Sequence, residues 1–399
     1  MQSLNTAAAS VSTMMMVLLA VTHVHTQEPP TASVSPKDTI VYVGTYTGGK
    51  TNSQGIYGFK MQTGSTTLVP LGLVAETASP SYIEIDPDRG LLFAVNETEE
   101  FEGKPTGFVS AFSIDRKTGK LTLINRQPAE GKAPCHLALD KSRRNLIVAN
   151  YTSGTVTVLP VAADGRLGAP SAVVKHSGSS VNTQRQAGPH AHCTTFDPAY
   201  GLLFVCDLGL DKVLAYELDS AKGTLTAHNP PSAAVKPGSG PLHMDFRPDG
   251  RFTYVLNELT STVTTFAYDA KAGSLTERQT VSTLPPSFTG SNSGAEIVVH
   301  PSGKFVYSSN RGHNSVALFR IDPAQGTLTF VAAQDTGGRT PRNFAIDPTG
   351  RLLFAANQDS GTMMVFTIDQ ASGQLKASGA PVAVPAPVCV RFLPPRTGR

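Results

Sequence analysis

At 399 residues, with 40% apolar and 16% charged residues, the chain has the composition of a folded globular protein. Its formal net charge of +3 is small and scattered, so it gives no electrostatic support for a nucleic-acid partner. The 36 Gly and 29 Pro residues are spread along the chain at turn positions. That distribution is typical of all-β proteins with many short strands, and we expect such a fold without nucleic acid as a partner.

Near the N-terminus, an apolar segment covers Ser12–Val24. It has the length of a signal-peptide core and is shorter than a membrane-spanning helix usually is. No Lys or Arg precedes it and no Ala-x-Ala site follows it, so an uncleaved anchor or an inert tail stays an alternative. We predict that residues 1–37 are a signal peptide and linker, that the mature protein is periplasmic or secreted, and that it is not stably inserted in a membrane. A cytoplasmic location is the alternative.

Residues 38–395 repeat one pattern with a period near fifty residues. Each repeat has an apolar strand, a Pro-containing turn such as Asp347-Pro348-Thr349-Gly350, and a second strand that ends in Asn or Asp. A third strand, a Gly-x-Leu turn and a fourth strand follow. Pro presets φ and Gly takes the positive-φ position, so these turns close hairpins. Four short antiparallel strands per repeat are typical of a β-propeller blade, whereas β-sandwich strands do not repeat in phase.

The two ends of the repeat region complement one another. Pro387–Phe392 matches the first strand of a repeat, and there the pattern stops. Thr39–Tyr46 matches a second strand that has no first strand before it. Joining them gives one whole blade beside six internal ones. We therefore predict an all-β fold, a seven-bladed β-propeller over residues 38–395, closed by pairing of its N- and C-terminal segments, which hides both sheet edges.

The four cysteines include no C-x-x-C motif, so the sequence indicates no zinc or redox motif. If a hairpin pairs Phe196 with Leu203, the same register places Cys193 opposite Cys206, within disulfide range. Cross-strand disulfides are strained, so buried free thiols are the favoured interpretation and a disulfide the alternative.

Ionisable residues recur where first strands begin and second strands end. These points lie at one face of the propeller, and the first strand is innermost, so its opening residues surround the central channel. Isolated ionisable groups beside an apolar channel are costly unless they are paired or used, which favours a functional role. The Asn residues that end second strands are expected to satisfy loop backbone groups instead. The ionisable set is His192, His243, Glu258, Glu296, Arg311 and Arg342.

The motif around Arg185 and the segment Gly-Pro-His-Ala-His of 188–192 is the most specific in the chain. The H-x-H spacing in a strand places His190 and His192 on the same side, about 7 Å apart. A metal site would need a third ligand that the sequence does not specify. We predict no metal and no other cofactor, and two surface histidines without a function remain the alternative.

Five motifs, in order and in phase with the repeat, resemble the bacterial 6-phosphogluconolactonase family, to which fungal carboxy-cis,cis-muconate cyclases also belong. The resemblance covers Thr39 to Leu393 and implies a lactone hydrolase with a small-molecule lactone as its partner. The motifs are Val-Tyr-Val-Gly-Thr-Tyr of 41–46, Gly-Pro-His-Ala-His of 188–192, Gly-Ser-Gly-Pro-Leu-His of 238–243, Asn-Glu-Leu of 257–259 and Asn310-Arg311.

The resemblance implies a site with His192 (or His190), Glu258 and Arg311. It also implies an Arg in a Gly-Pro-Arg-His segment, where this chain has Leu242. An Arg there would clamp a carboxylate or phosphate with two hydrogen bonds, so its loss argues against phosphorylated or multiply anionic substrates. Arg185, Arg311 and Arg342 are candidates to replace it.

Opening a lactone needs a base for water, a donor for the oxyanion and a group that holds the acid tail. We predict His192, Glu258 and Arg311 as catalytic, with Glu258 or His192 activating water and Arg311 stabilising the oxyanion. No Gly-x-Ser-x-Gly motif supports covalent catalysis. The predicted substrate-binding residues are Arg185, His190, His243, Glu296 and Arg342.

Two other functions stay open at this point. A propeller can bind a ligand or partner at the same face without catalysis, because the fold does not decide the function. A muconate-type lactonising enzyme is the other alternative that the resemblance allows.

Overall fold

The computed structural model describes residues 33–49, 51–62 and 64–395. Its regular elements there are 29 β-strands in seven antiparallel sheets, which are the blades of the propeller. The predicted signal-peptide core lies outside the described residues. Within them, no helix is long and apolar enough to cross a membrane.

Each blade runs from an innermost strand at the central channel to an outer strand, with strands numbered in chain order. The innermost strands are β4 (Tyr82–Asp86), β8 (Pro134–Leu139), β12 (Ala191–Phe196), β16 (Pro241–Phe246), β20 (Ser293–Val299), β24 (Pro341–Ile346) and β29 (Pro387–Leu393). The second strands are β5 (Leu91–Asn96), β9 (Asn145–Asn150), β13 (Leu203–Asp207), β17 (Phe252–Asn257), β21 (Phe305–Arg311), β25 (Leu352–Asn357) and, beside β29, β1 (Asp38–Thr45).

The third and fourth strands complete each blade on the outside. The third strands are β2 (Gly55–Gln62), β6 (Phe108–Ile114), β10 (Thr155–Pro160), β14 (Lys212–Asp219), β18 (Thr262–Asp269), β22 (Ser315–Ile321) and β26 (Thr362–Ile368). The fourth strands are β3 (Val69–Glu76), β7 (Leu121–Pro128), β11 (Ala172–Lys175), β15 (Thr224–Ala234), β19 (Ser274–Ser282) and β23 (Leu328–Asp335), and in the last blade two short strands, β27 (Leu375–Ala377) and β28 (Val382–Ala383), share this place.

The predicted closure of the ring is confirmed. β29 pairs antiparallel with β1, so that Val390 lies opposite Val43 and Phe392 opposite Val41. All residues of β1 are buried. Each innermost strand contacts the next around the channel, and β29 contacts both β24 and β4. One blade therefore combines the first three strands of the described residues with the last one, and the ring has seven blades.

The propeller has two faces, which differ in what they expose. We call the face where first strands begin and second strands end the front face, and the face with the turns between them the rear face. Both ends of the described propeller lie at the rear face, where Val34, Leu393 and Pro395 line one surface pocket with Arg116. The Val34 amide donates to the Lys117 carbonyl oxygen there at 2.8 Å.

Neighbouring blades are joined by a repeated hydrogen bond. A buried tyrosine hydroxyl of a second strand donates to a glycine carbonyl oxygen in a turn of the next blade, as from Tyr254 to Gly326 at 3.0 Å. Gly326 has a φ of +70°, and a Cβ on it would lie 2.3 Å from the Phe252 ring. Only glycine fits such a position without displacing the ring. The other two bonds of this kind are Tyr42 to Gly119 and Tyr307 to Gly373.

The Asn side chains that end second strands satisfy backbone and hydroxyl groups, as expected. Asn150 Nδ2 donates to the Ala129 carbonyl oxygen at 3.2 Å, and Asn357 Nδ2 donates to the Thr336 carbonyl oxygen at 3.1 Å. The predicted cysteine register is also confirmed, because Cys193 lies opposite Cys206. All four cysteines are free and buried.

The central channel widens at the rear face into a cavity of about 510 Å³, which we call the rear cavity. Glu84 and Asp245 are among the acidic residues that line it. Burial raises the pKa of each to about 7, although Arg391 opposes the shift of Glu84 and two backbone amides oppose that of Asp245. The residues of the innermost strands that also line this cavity include Tyr82, His136, Cys193, His243 and Glu296.

Removing β29 should destabilise the whole propeller. A chain that ends at Val384 loses the burial of Val388, Val390 and Leu393 and leaves β1 without its inner partner. At roughly 1.5–3 kcal/mol for each buried side chain, the free energy of unfolding should fall by more than about 4 kcal/mol. Urea unfolding followed by circular dichroism measures this loss. A chain that ends at Pro395 is the control and should match the full chain, whereas an equally stable 1–384 chain would contradict closure by β29.

The acids of the rear cavity should make the protein less stable as pH rises. The pKa of Glu84 is higher in the folded than in the unfolded state, so the folded state binds more protons between about pH 4.5 and 7. The free energy of unfolding should therefore decline as pH rises through that window. Glu84→Gln should reduce the decline by about 2–3 kcal/mol, measured by urea unfolding at several pH values. The exposed Glu100→Gln is the control, and an unchanged slope in Glu84→Gln would refute the assignment.

Candidate active site

A β-bulge near the start of the innermost strand places side chains at the front of the channel. In β12, Ala191 pairs with Asp207 and Cys193 pairs with Cys206, so His192 is an extra residue in the ladder. A bulge re-aims the side chain that it carries, and bulges are frequent beside active sites. The same shift occurs in β8, β16 and β24, where the extra residues are Cys135, Leu242 and Arg342.

The backbone before these strands is constrained in a matching way. Ala133, Gly240 and Thr340, each followed by Pro, have φ values of 50°, 66° and 59°. The left-handed region is unfavourable for Ala and Thr, and such strain is typical of functional sites. The turn and the bulge together direct the openings of these strands towards the channel.

A second group of side chains comes from the residue that follows each second strand's buried Asn, Asp or Thr. These residues lie at the front face, where the second strands end. Around the ring these positions hold Tyr46, Glu97, Tyr151, Leu208, Glu258, Arg311 and Gln358.

Glu258 is the acceptor for two guanidinium groups. Its Oε1 lies 2.7 Å from Arg185 Nη2 and its Oε2 lies 3.4 Å from Arg311 Nη2. The Arg311 Nη2 also donates to the Gly294 carbonyl oxygen at 2.7 Å. Burial lowers the pKa of Arg311, which Glu258 partly offsets. Both carboxylate oxygens of Glu258 are thus occupied, and the predicted residues Arg185, Glu258 and Arg311 form one cluster.

The two histidines of the H-x-H motif both contact Tyr151. His190 precedes β12 and His192 is its bulged residue, so strand alternation does not set their directions. The His190 ring stacks on the Tyr151 ring with centroids 4.5 Å apart, and the His192 ring meets it edge-on at 5.6 Å. The Tyr151 hydroxyl accepts a hydrogen bond from Arg185 Nη2 at 3.2 Å. Tyr151 therefore joins this pair to the Glu258 cluster.

His192 is 7% exposed, and burial lowers its pKa well below the ordinary value. The neighbouring charges of His243 and Arg342 act in the same direction. A histidine with such a pKa is neutral at neutral pH, so it can accept a proton.

A small cavity of about 20 Å³, the front cavity, lies between these side chains. Within the described residues, four residues that line it each have a buried polar atom without a hydrogen-bond partner. A polar cavity of this size holds about one water-sized group. Buried polar atoms are costly unless they are satisfied, so these atoms favour binding of a polar group here. They are Ser81 Oγ, His192 Nδ1, His243 Nε2 and Arg311 Nε.

Arg342 supplies a guanidinium group to the front cavity from a different blade than Leu242, the position where the resemblance implies an Arg. Leu242 and Arg342 are the bulged residues of β16 and β24, and both line the front cavity. The Arg342 guanidinium lies 5.2 Å from the centroid of the Tyr46 ring. The Tyr46 hydroxyl donates to the Glu97 carboxylate at 3.0 Å. The front cavity therefore contains a guanidinium group although residue 242 is Leu.

His243 and Glu296 lie deeper than the other predicted substrate-binding residues. His243 Nδ1 is 2.7 Å from Glu296 Oε1, and Glu296 Oε2 accepts a hydrogen bond from Asn343 Nδ2. Glu296 lines the rear cavity and His243 lines both cavities. Six of the eight predicted site residues thus meet at the front face, His243 lies between the cavities, and Glu296 lies behind it.

Sequence reasoning did not include Tyr46, Glu97 and Tyr151 in the site. Their signal is positional, because they occupy the same place in their blades as Glu258 and Arg311. The described residues contain no group of three or more His, Cys, Asp or Glu side chains that could hold a metal ion.

Comparisons with known proteins agree with the propeller fold. Residues 40–392 match the family described as lactonase, seven-bladed β-propeller. The 6-phosphogluconolactonase of Bacillus subtilis strain 168 is 38% identical, over 89% of this chain and 98% of that protein. The 6-phosphogluconolactonase of Formosa agariphila is 32% identical, over 74% of this chain and 83% of that protein.

A solved structure is similar over the same length. The periplasmic gluconolactonase of Pseudomonas aeruginosa superposes with a TM-score of 0.83 and 34% identity, over 90% of this chain and 100% of that one. The propeller, the phase of the motifs and these matches agree with the resemblance that the motifs indicated. The chain belongs to the family of seven-bladed β-propeller lactonases.

Proposed function

We propose that the front-face site hydrolyses a lactone by direct attack of water. The observation that carries this proposal is a neutral, buried His192 beside two guanidinium groups at a cavity of water size. The relatives named 6-phosphogluconolactonase, which match nearly the whole propeller, support the reaction class.

His192 suits the role of general base better than Glu258 does. Its Nδ1 is buried and has no hydrogen-bond partner among the described residues. The carboxylate oxygens of Glu258 are both engaged by Arg185 and Arg311. Glu258 therefore acts by holding the two guanidinium groups in place, and His192 takes the proton of the attacking water.

Arg311 and Arg342 supply the positive charge that the reaction needs. As the water oxygen bonds to the carbonyl carbon, the carbonyl oxygen becomes an oxyanion that a buried guanidinium stabilises. The ring C–O bond then breaks, and His192 returns the proton to the leaving alkoxide oxygen. The product is a hydroxy acid, and no covalent bond to the protein forms.

The charge of the site favours a lactone with an acidic tail. Three guanidinium groups, of Arg185, Arg311 and Arg342, face two carboxylates, of Glu97 and Glu258. The remaining positive charge would attract an anionic substrate, and the half-exposed Arg185 is placed to meet its tail. We therefore propose an acidic sugar lactone or a related lactone, with Arg342 in the role that Leu242 cannot fill.

Removal of the base should abolish most of the activity without unfolding the protein. His192→Gln should lower kcat/KM for lactone hydrolysis by about a hundredfold or more, measured by pH-stat over a panel of sugar and aromatic lactones. Glu258→Gln should lower it as well, because Arg185 and Arg311 lose their acceptor. The thermal midpoint of His192→Gln should change little, since His192 lines a cavity at the face.

His228→Gln is the matched control, because His228 lies on the outer strand β15, beside Glu217. Activity within twofold of the parent in His192→Gln would show that His192 is not the base. If the parent protein hydrolyses no lactone of the panel, the site is better explained as one that binds a ligand or partner without catalysis.

We also propose that the protein is exported. The apolar segment Ser12–Val24 supports this, and the similar protein of Pseudomonas aeruginosa is described as periplasmic. Immunoblots of cytoplasmic, periplasmic and culture fractions should find a shortened chain outside the cytoplasm. Deletion of residues 12–24 should retain the chain inside, and a full-length cytoplasmic protein would contradict export.

A further inference from the structure

We propose that Glu296 and His243 are a positioning pair that holds a positive charge behind His192, so that His192 stays in its proton-accepting form. This inference rests on the proposed function, because it explains how the proposed base is kept ready. It assigns to both residues a role other than contact with the substrate.

The two imidazoles are close enough to influence one another directly. The centroids of the His192 and His243 rings are 5.1 Å apart, with the ring planes tilted by 56°. Both rings line the front cavity, and both are 7% exposed. Two like charges at this distance in a poorly hydrated site repel strongly, so a cationic His243 disfavours protonation of His192.

Glu296 is fixed so that it can hold the charge on His243. Its Oε1 lies 2.7 Å from His243 Nδ1 and accepts a hydrogen bond from the Ile297 amide at 3.0 Å. Its Oε2 accepts a hydrogen bond from Asn343 Nδ2. These contacts lower the pKa of Glu296 although burial opposes the shift, and Glu296 in turn raises the pKa of His243 against burial.

Other charged or titratable groups face the three side chains and would be present in every variant. Arg311, Arg342 and His136 act on His192 in the same direction as His243 does, so His243 supplies part of the effect. The groups that face the pair from the surrounding strands are Tyr82, His136, Cys193, Asp245, Arg342 and Arg391.

Direct contact of Glu296 with a substrate fits the geometry less well. Glu296 does not line the front cavity, and it is 5% exposed. The front cavity, at about 20 Å³, is too small for a lactone ring to pass through towards Glu296. A substrate bound at the front face therefore does not reach Glu296, and Glu296 acts on the front site through His243.

The test is the pH dependence of Glu296→Gln. Without the carboxylate, His243 becomes neutral, its repulsion of His192 ends, and the pKa of His192 rises. The acidic limb of kcat/KM should then move to higher pH by about one unit, while KM at high pH, where His192 is neutral in both proteins, stays unchanged. Glu84→Gln removes another carboxylate of the same channel without contact to His243, and its profile should match that of the parent.

A second readout does not need activity. The pKa of His192, followed by NMR titration and assigned with His192→Gln, should rise in Glu296→Gln by the same amount. His243→Asn should give the same rise and serves as the second variant if Glu296→Gln does not fold. An unchanged pKa of His192 in both variants would overturn the inference, as would a raised KM with an unmoved acidic limb. If the parent protein has no lactonase activity but Glu296→Gln still raises the pKa of His192 in the NMR titration, only the proposed function is refuted.

Discussion

The pairing of β29 with β1 is the interaction on which the rest of the structure depends. A propeller sheet that stayed open would expose two strand edges and let the blades spread. With the ring closed, each innermost strand has neighbours on both sides, and the channel has a fixed width. His192, Glu258 and Arg311 come from three different blades, at β12, the end of β17 and the end of β21, so their distances are set by the circumference and not by local sequence.

Within this ring, the site is organised by burial of charge. Glu258 binds two guanidinium groups at once, and Glu97 reaches a third through Tyr46. Buried charges are tolerated when they are paired in this way, and they act strongly on a transition state because little water screens them. The same burial keeps His192 uncharged, so one physical condition both strengthens the guanidinium groups and prepares the base.

Much of this arrangement could be predicted from the sequence because the repeat fixes the phase of each residue. The blade count, the closure and the opposition of Cys193 to Cys206 all follow from turn positions. Counting residues from the turn predicts the strand pairing correctly in the part of each innermost strand that is next to the turn. The bulges at His192 and Arg342 each add one residue at the other end of the strand, and no turn residue in the sequence indicates them. For the same reason the sequence grouped Glu296 with the front-face residues, although its side chain lies behind His243. Depth along a channel depends on bulges and side-chain packing, which the pattern does not encode.

The position of the two ends of the described propeller has a practical consequence. Val34 and Pro395 both lie at the rear face, whereas the proposed catalytic groups lie at the front face. A surface, resin or fused domain attached through either end would hold the propeller with its reactive side outward. Protein immobilised through Val34 or Pro395 should therefore meet its substrate without obstruction.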